Sequence, residues 1–338
     1  MIYQLMSVLP KLLFLLIVIL SACTQHKHKD SLPSETVLTT LHFTSDKAIE
    51  SCSISFPGLD TLLLFTEGEA SLQIPLESPA YADIYLSNAI ATEVYLDPGY
   101  DLRIQIGDEV TFQGIGAESN TYLQKYFRFI AANKIDDPSR FKLEPAEFED
   151  QSRHNRIKSG AFLKHYQSKA ANLDPKFMER ERARIEYLWI NDLISYPDRH
   201  KEACSCDIES DHLFSQEIMD EGSNSEVHLL PLKAYRHYIK NYLMLEANAL
   251  VDQQGESRAG HAIAFDLIDD ALEDERMHDL IYYELIKDAL RYPLEQWHET
   301  LLDVFEKRCD NPRLKQDIAQ HYAVVLKESS TNDVSAAK

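Results

Sequence analysis

Apolar and polar residues alternate with a period of two in the first part of the chain and with a period of about 3.6 in the remainder. Across residues 36–113, short runs rich in β-branched and aromatic side chains are separated by turn residues such as Asp97-Pro98-Gly99. In the run from Leu102 to Ile106, the apolar residues share one face and the polar residues share the other. Because no helical segment interrupts these runs, the pattern predicts an antiparallel β sandwich or barrel-like domain over residues 35–115.

Helical periodicity begins after Gly116. Tyr122, Leu123 and Tyr126 fall on one helical face, and similar apolar faces recur to about residue 328. The later part of the chain predicts helices at about 261–274, 276–291, 294–308 and 312–327, with prolines at helix boundaries: Pro197, Pro231, Pro293 and Pro312. The predicted fold class is therefore α+β. A small antiparallel β domain is followed by a larger α-helical domain over residues 116–328 and a disordered tail over residues 329–338.

The N-terminus has the layout of a secretory signal. Lys11 supplies a positive charge, an apolar run extends from Leu12 to Leu20, and small residues then lead to Cys23. A run of this length is too short to cross a hydrocarbon core of ~30 Å, which takes about 20 residues. Leu20-Ser21-Ala22-Cys23 resembles the bacterial lipobox, whose cysteine is lipidated. We expect a signal peptide over residues 1–22, acyl chains on Cys23 that attach it to the membrane, and a flexible tether over residues 23–34.

A lipidated cysteine predicts a location in the bacterial cell envelope. An aspartate directly after the lipidated cysteine would resemble an inner-membrane retention signal, but Thr24 occupies that position here. Residues 24–29 also lack the acidic run that resembles a surface-export signal in these bacteria. The expected location is therefore the periplasmic face of the outer membrane.

The net negative charge of the chain excludes some classes of binding partner. The chain has 34 basic and 55 acidic residues and a formal net charge of −21, which repels nucleic-acid phosphates and anionic lipid headgroups. Nucleic acid is therefore excluded as a partner, and membrane attachment is assigned to the acyl chains on Cys23. The chain has only 10 glycines in 338 residues, which favours helix over a turn-rich all-β chain.

Four cysteines remain besides Cys23, and they leave several interpretations open. An exported protein can keep disulfides, so pairing among Cys52, Cys204, Cys206 and Cys309 is compatible with the sequence, without an indicated connectivity. The spacing Cys204-Ser205-Cys206 also suggests a redox pair or a site for a soft metal. Carboxylates surround these two thiols and raise a thiol pKa. Structural disulfides or free thiols are therefore favoured over catalysis.

Other motifs that carry chemistry are absent or incomplete. Gly114-Ile115-Gly116 lacks the third glycine of a dinucleotide loop and is predicted to be a tight strand-to-helix turn. The sequence has no nucleophile elbow, phosphate loop, calcium loop or zinc-protease helix, so no metal, cofactor or catalytic residue is expected. Tyr235, Tyr238 and Tyr242 recur at helical spacing, which favours core positions over a sugar- or peptide-binding groove.

A resemblance to a family rests on the order of several short segments. They are Val94 to Leu102 with its Pro-Gly turn, Val110-Thr-Phe-Gln-Gly114, Gly116-Ala-Glu-Ser-Asn-Thr-Tyr-Leu123, Leu173 to Phe177, and Tyr235 to Leu243. This order over about residues 36–325 resembles the N-terminal β domain and helical region of Bacteroidetes-type thioredoxin-like (TlpA/AhpC-related) lipoproteins. In that family a thioredoxin domain with Cys-x-x-Cys follows, and this sequence contains no Cys-x-x-Cys. The resemblance therefore carries over no catalytic residue.

These observations predict a lipid-anchored envelope protein that acts as a non-catalytic binding or scaffold module. Its expected partners are the membrane, through the acyl chains on Cys23, and another envelope protein. The alternative function is thiol–disulfide chemistry, either at Cys204 and Cys206 or as an accessory to a thioredoxin-like partner supplied in trans. A truncated member of the family with little activity is a third interpretation.

Overall fold

The computed structural model is an α+β protein, as predicted. It describes residues 37–47, 49–86, 91–170, 173–205, 226–254, 260–272, 274–292, 294 and 296–336. The predicted signal peptide, the lipidation site Cys23 and the predicted tether lie outside the described residues, as do Cys206 and Pro293.

Eight strands form two four-stranded sheets. The strands are β1 Val37–Ser45, β2 Ser51–Phe56, β3 Leu59–Leu64, β4 Glu69–Leu76, β5 Ala80–Leu86, β6 Ala91–Leu96, β7 Asp101–Ile106 and β8 Val110–Gly114. The first sheet has the order β4-β1-β7-β8, and the second has the order β3-β2-β5-β6. The pairs β2–β3, β2–β5, β5–β6 and β7–β8 are antiparallel, and the pair β1–β7 is parallel, which makes the first sheet mixed. The chain crosses between the sheets more than once: β4 returns to one side of β1, β5 and β6 complete the second sheet, and β7 then pairs with the other side of β1.

The two sheets enclose a hydrophobic core. In β7 the side chains of Leu102, Ile104 and Ile106 are buried and those between them are exposed, which confirms the predicted alternation. Gly114 ends β8 with a φ of 89°, and a Cβ there would lie 2.3 Å from the carbonyl oxygen of Asp101. Gly116 then precedes the first helix with a φ of 93°. The two glycines therefore form the strand-to-helix turn that was predicted.

Eight α-helices follow in the described part of the chain. They are α1 Ala117–Asn133, α2 Pro145–Lys169, α3 Pro175–Cys204, α4 Lys233–Gln254, α5 Gly260–Ala271, α6 Glu275–Ala289, α7 Gln296–Arg308 and α8 Pro312–Ala336. Short 3-10 helices lie at Pro138–Lys142 and Val227–Leu229. The last helix extends beyond the predicted end of the helical domain at residue 328, since the residues that follow include no glycine or proline to stop it. Within the described residues, no helix is apolar and long enough to span a bilayer.

The prediction that Pro197 marks a helix boundary is wrong, because Pro197 lies inside α3. A proline in a helix interior costs about 3 kcal/mol. The buried face continues across it through Leu193, Tyr196 and His200, and the Tyr196 hydroxyl donates to the carbonyl oxygen of Leu143 at 2.6 Å. Packing on both sides of the proline therefore keeps the helix continuous.

The outer face of the second sheet is shared between helices and solvent. Tyr81 of β5 and Tyr95 of β6 project from this face and belong to the helical core, where Tyr95 packs on Phe177 of α3 at a centroid distance of 4.9 Å. Asn120 of α1 hydrogen-bonds to the backbone of β6. Its Oδ1 accepts from the Tyr95 N–H at 2.8 Å, and its Nδ2 donates to the Tyr95 carbonyl oxygen at 2.9 Å. Helices α1 and α3 are thereby attached to β6.

Candidate ligand cleft at the sheet–helix junction

Four side chains form a buried hydrogen-bonded network where the second sheet meets α3. We call Tyr81, Glu93, Glu181 and Arg184 the junction network. Tyr81 and Glu93 lie on the outer face of the β5–β6 pair, in which Tyr81 is opposite Tyr95 and Asp83 is opposite Glu93. Glu181 and Arg184 are three residues apart on α3 and therefore lie on the same helical face.

The start of α3 helps to position this face. Asp174 precedes the helix, and its carboxylate accepts a hydrogen bond from the Lys176 backbone N–H at 2.9 Å. Pro175 occupies the first helical turn, where its missing N–H has no cost. The following turn buries Phe177 and Met178 in the helical core. The next residues on the buried side are Glu181 and Arg184, which therefore meet the sheet.

Arg184 bridges the two carboxylates. Its Nη1 donates to Glu93 Oε2 at 2.7 Å and its Nη2 donates to Glu181 Oε2 at 2.7 Å. The Tyr81 hydroxyl donates to the other oxygen of Glu181, Oε1, at 2.7 Å. Glu181 has no exposed surface, whereas the Arg184 and Glu93 side chains are 8% and 18% exposed. Glu93 is thus the member of the network that retains access to solvent.

The charges of the junction network are not balanced. Two carboxylates share one guanidinium, and burial raises the pKa of both Glu93 and Glu181 despite the attraction of Arg184. Burial by itself lowers the pKa of Arg184, but the two carboxylates outweigh it and the pKa is raised. Arg184 therefore stays protonated, and the network carries a formal excess of one negative charge when both acids are ionised.

A cleft of about 440 Å³ opens beside Glu93. Helix α1 supplies one wall with Phe127 and Arg128, and the β7–β8 loop supplies another. The lining groups that carry charge or an aromatic ring are Asp83, Glu93, Asp108, Glu109, Phe127 and Arg128. Arg128 is engaged by Glu109 at 3.0 Å, and Asp108 is engaged by Lys47 at 3.1 Å. The lining remains predominantly acidic and includes the partly exposed ring of Phe127.

This arrangement suits binding of a cation with an apolar body. A volume of this size is within the ~300–1,000 Å³ typical of small-ligand sites, and a carboxylate with a perturbed pKa that faces a cleft is a common feature of functional sites. Among the described residues, no group of three or more His, Cys, Asp or Glu is arranged to hold a metal ion. Asp83 also has a cationic partner, since Lys233 Nζ lies 3.9 Å from its carboxylate, so each lining acid contacts one cation and a cationic ligand would add to these contacts.

The structure describes three of the four candidate cysteines, and each is a free thiol. Burial raises the pKa of Cys52 to about 11 and that of Cys309 to about 12. Cys204 is exposed at the end of α3, with its Sγ 3.9 Å from His200 Nδ1. That nitrogen lies 2.8 Å from the carbonyl oxygen of Phe141, which can only accept, so Nδ1 carries a hydrogen and is not a base for the thiol.

The tyrosines singled out by their spacing are core residues. Tyr235 and Tyr238 are fully buried, which confirms the core interpretation for both. Tyr242 is partly buried and packs against the same core.

The residues of the junction network were not among the candidates predicted from the sequence. Glu181 and Arg184 interrupt an apolar helical face between Phe177 and Ile185, and such a charged pair inside a buried stripe was the available signal. Long charged residues are rarely fully buried unless they are paired, so this position implied a partner elsewhere in the chain. Nothing in the local pattern identified Glu93 as that partner.

The fold and the cleft define an α+β protein with a ligand-sized site where an eight-stranded sandwich meets its helices. Comparison with known proteins finds no matching family model, no matching curated protein and no matching solved structure.

Proposed function

We propose that this chain is a lipid-anchored envelope protein that acts as a non-catalytic binding module, with the cleft beside Glu93 as its ligand site. The observation that carries the proposal is the unequal charge of the junction network, in which Glu93 and the fully buried Glu181 share Arg184, the one cation that hydrogen-bonds to them among the described residues. A cationic ligand that contacts Glu93 supplies the missing positive charge. The partly exposed ring of Phe127 supplies an apolar and cation–π surface beside it.

The location is proposed from the sequence. The lipobox-like segment before Cys23 supports a lipid anchor, and the residues after it favour the periplasmic face of the outer membrane. We also propose the relationship to thioredoxin-like lipoproteins. It is supported by the order of the resembling segments along the sequence.

The test is a calorimetric titration of the full chain with cationic probes, namely Nα-acetylarginine amide and spermidine, with acetamide as a neutral reference. We expect saturable binding of at least one cation, weakened at least tenfold in Glu93→Gln. This variant keeps a one-to-one pair between Arg184 and Glu181 and is therefore expected to fold. Glu299→Gln, an acid-to-amide change at an exposed position of α7, is the matched control and should bind as the parent does. Equal binding by both variants, or no binding by the parent chain, would contradict the proposal.

Thiol–disulfide chemistry is the second candidate function. The specific observation in its favour is the exposure of Cys204, the only one of the three described thiols that solvent reaches. A disulfide reductase assay on the parent chain and on Cys204→Ser distinguishes the two functions. Turnover that depends on Cys204 would contradict the non-catalytic proposal.

A further inference from the structure

One edge of the second sheet has unpaired backbone groups. In the β2–β3 hairpin, Phe56 is opposite Leu59 across the Pro57-Gly58 turn, and the Phe65 N–H donates to the Glu50 carbonyl at 3.0 Å. Antiparallel pairs alternate between hydrogen-bonded and non-hydrogen-bonded, so the residues of β3 that bond β2 are the odd-numbered ones. The N–H and C=O groups of Asp60, Leu62 and Leu64 therefore point away from β2. Within the described residues, no strand pairs with that side of β3.

The same residues present apolar side chains to solvent. Leu62 is 66% exposed and Leu64 is 70% exposed, the two highest values among the large hydrophobic residues described. Tyr85 of β5, which is 48% exposed, lies in the same cross-strand row as Leu62, since Ser53 is opposite both of them. Leu62, Leu64 and Tyr85 thus form an apolar patch, the β3 patch, beside the free backbone edge.

The other three sheet edges are protected. Helix α1 packs against both β6 and β8, whereas α8 contacts the β3 edge, with Arg313 and Leu314 beside the turn residue Gly58, and leaves Leu62 and Leu64 exposed. The remaining edge, β4, exposes the polar side chains of Glu69, Ser71 and Gln73 and contains Pro75, which cannot donate a backbone hydrogen bond. An unprotected edge that carries leucines promotes aggregation unless another strand covers it. The contrast between β3 and the other edges indicates that β3 is kept open for a partner strand.

The acidic residues around the β3 patch favour a partner strand that carries basic residues. Asp60 is exposed on the same face as Leu62, and Glu50 and Glu67 are exposed near the other end of the hairpin. Asp60 and Asp83 lie in one cross-strand row, since Ser55 is opposite both of them, and the Tyr85 hydroxyl donates to Asp83 Oδ2 at 3.4 Å. Asp83 is also 3.9 Å from Lys233 Nζ, so Asp60 is the acid of this row without an ion-pair partner among the described residues. A second copy of the chain would bring the same acids and the same net charge of −21, which disfavours self-pairing.

We propose that β3 is a docking edge at which an extended segment of another protein, with apolar residues at alternate positions and Lys or Arg at its ends, adds as a fifth strand to the second sheet. Its main chain bonds the outward N–H and C=O groups of Asp60, Leu62 and Leu64. Its apolar side chains cover the β3 patch, and its basic ends face Asp60 and the acids of the far end. This site is separate from the cleft beside Glu93 and does not depend on it.

The test is fluorescence anisotropy of a labelled peptide, Lys-Lys-Val-Thr-Val-Thr-Val-Lys-Lys, titrated with the full chain. Comparison peptides replace the lysines by glutamates or replace the central valine by proline. We expect the basic peptide to bind at least tenfold more tightly than either comparison peptide. Binding by the glutamate peptide at the same affinity would overturn the assignment of charge, and failure of all three peptides would overturn the docking edge itself.

Variants localise the binding. The double change Leu62→Thr and Leu64→Thr keeps strand-forming residues and should weaken the basic peptide at least tenfold, as should Leu62→Pro, which removes one outward N–H. Gln73→Thr on the protected edge β4 is the matched control and should bind within twofold of the parent chain. If Leu62→Pro does not fold by circular dichroism, the threonine pair alone decides. Unchanged binding in that pair overturns the proposal.

Two further measurements test whether a second copy of the chain occupies the β3 edge and whether this edge is independent of the cleft beside Glu93. Sedimentation that shows a dimer in the parent chain and a monomer in the threonine pair would identify a second copy as the occupant and overturn the proposed partner. Glu93→Gln should leave peptide binding unchanged, so loss of the cleft function and loss of β3 docking are distinguishable.

Discussion

The ion pairs at the sheet–helix junction and those among α4, α5 and α6 are both largely shielded from solvent, yet their charges are balanced differently. At the junction, two carboxylates share Arg184. Between the helices, one carboxylate, Asp288, is contacted by Lys240 at 3.0 Å and by His261 at 3.2 Å. The junction has one cation for two carboxylates, with Tyr81 as an added neutral donor, whereas the single carboxylate of Asp288 has the cation Lys240 and the donor His261.

The pKa directions follow from this count. Burial raises the pKa of a carboxyl group in either place, but hydrogen bonds from His261 and Lys240 and the charge of Lys240 outweigh it at Asp288, whose pKa lies well below its usual range. Arg184 does not outweigh burial at Glu93 and Glu181, whose pKa values stay raised. The charge of Asp288 is thus already compensated by Lys240 and His261, whereas an added cation would lower the electrostatic free energy of the junction network. That difference is the physical basis for the proposed ligand cleft.

Arg184→Met should have the largest effect on stability. The change leaves Glu93 and Glu181 without their shared cation, and removal of one partner from a buried ion pair costs about 3–5 kcal/mol. Urea unfolding at neutral pH, followed by circular dichroism, measures the free energy of unfolding. The loss should shrink in acid, because both carboxylates can then take up protons.

Lys240→Met is the matched comparison. Asp288 keeps His261 at 3.2 Å and Arg291 at 3.8 Å after this change, so the expected loss is about 1.5–3 kcal/mol. A larger loss for Lys240→Met than for Arg184→Met would contradict the difference in charge balance between the two clusters.

The pH dependence of two amide variants should have opposite signs. Asp288 has a lowered pKa in the folded chain, so its charge stabilises the fold above the unfolded pKa and that stability is lost as the pH falls. Asp288→Asn should therefore cost about 1.5–3 kcal/mol at neutral pH and progressively less in acid. Glu181 has a raised pKa, so its stabilising effect is complete below its unfolded pKa and is lost as the pH rises. Glu181→Gln should compare more favourably with the parent chain at pH 7 than at pH 4.

The test is to measure the free energy of unfolding of each variant at several pH values between about 3.5 and 7.5. This range includes the ordinary carboxyl pKa values and those raised by burial. Parallel profiles for the two variants would show that the opposite pKa directions are incorrect.

Tyr81→Phe should have the smallest of these effects. It removes one hydrogen bond to the buried Glu181, with an expected cost of about 1–2 kcal/mol. Tyr282→Phe is the same chemical change at a hydroxyl that donates to Asp269, whose side chain is 55% exposed, so its cost should be below about 1 kcal/mol. Thermal unfolding midpoints rank the two variants, and equal shifts would argue that burial of Glu181 does not strengthen its hydrogen bond.

Local periodicity was enough to predict much of the fold. The inward face of β7, the switch to helix after Gly116 and the start of α8 at Pro312 each depend on residues a few positions apart. The continuation of α3 through Pro197 was missed, because packing of Tyr196 and His200 on distant segments outweighs the local penalty of proline. Parallel pairing of β1 with β7 was also missed, because strand order depends on how the two sheets close around their core.

The candidate site was the least predictable part of the molecule. Its hydrogen bonds join residues 100 and 91 positions apart, from Tyr81 to Glu181 and from Glu93 to Arg184. The pattern around Glu181 and Arg184 indicated only that two charged residues interrupt an apolar stripe. Predictions that concern Cys23 and Cys206 lie outside the described residues and remain predictions.

The order of amino acids by itself determined which segments are strands and which are helices, which faces are apolar, and how strongly negative the protein is. These properties follow from side-chain chemistry and backbone preference within a few residues. Only the tertiary structure decided that two acids would share one arginine beside an open cleft and that one leucine-bearing strand would remain at a sheet edge. Both outcomes depend on which distant surfaces meet and exclude water, because burial sets the cost of an unbalanced charge and of an unpaired strand.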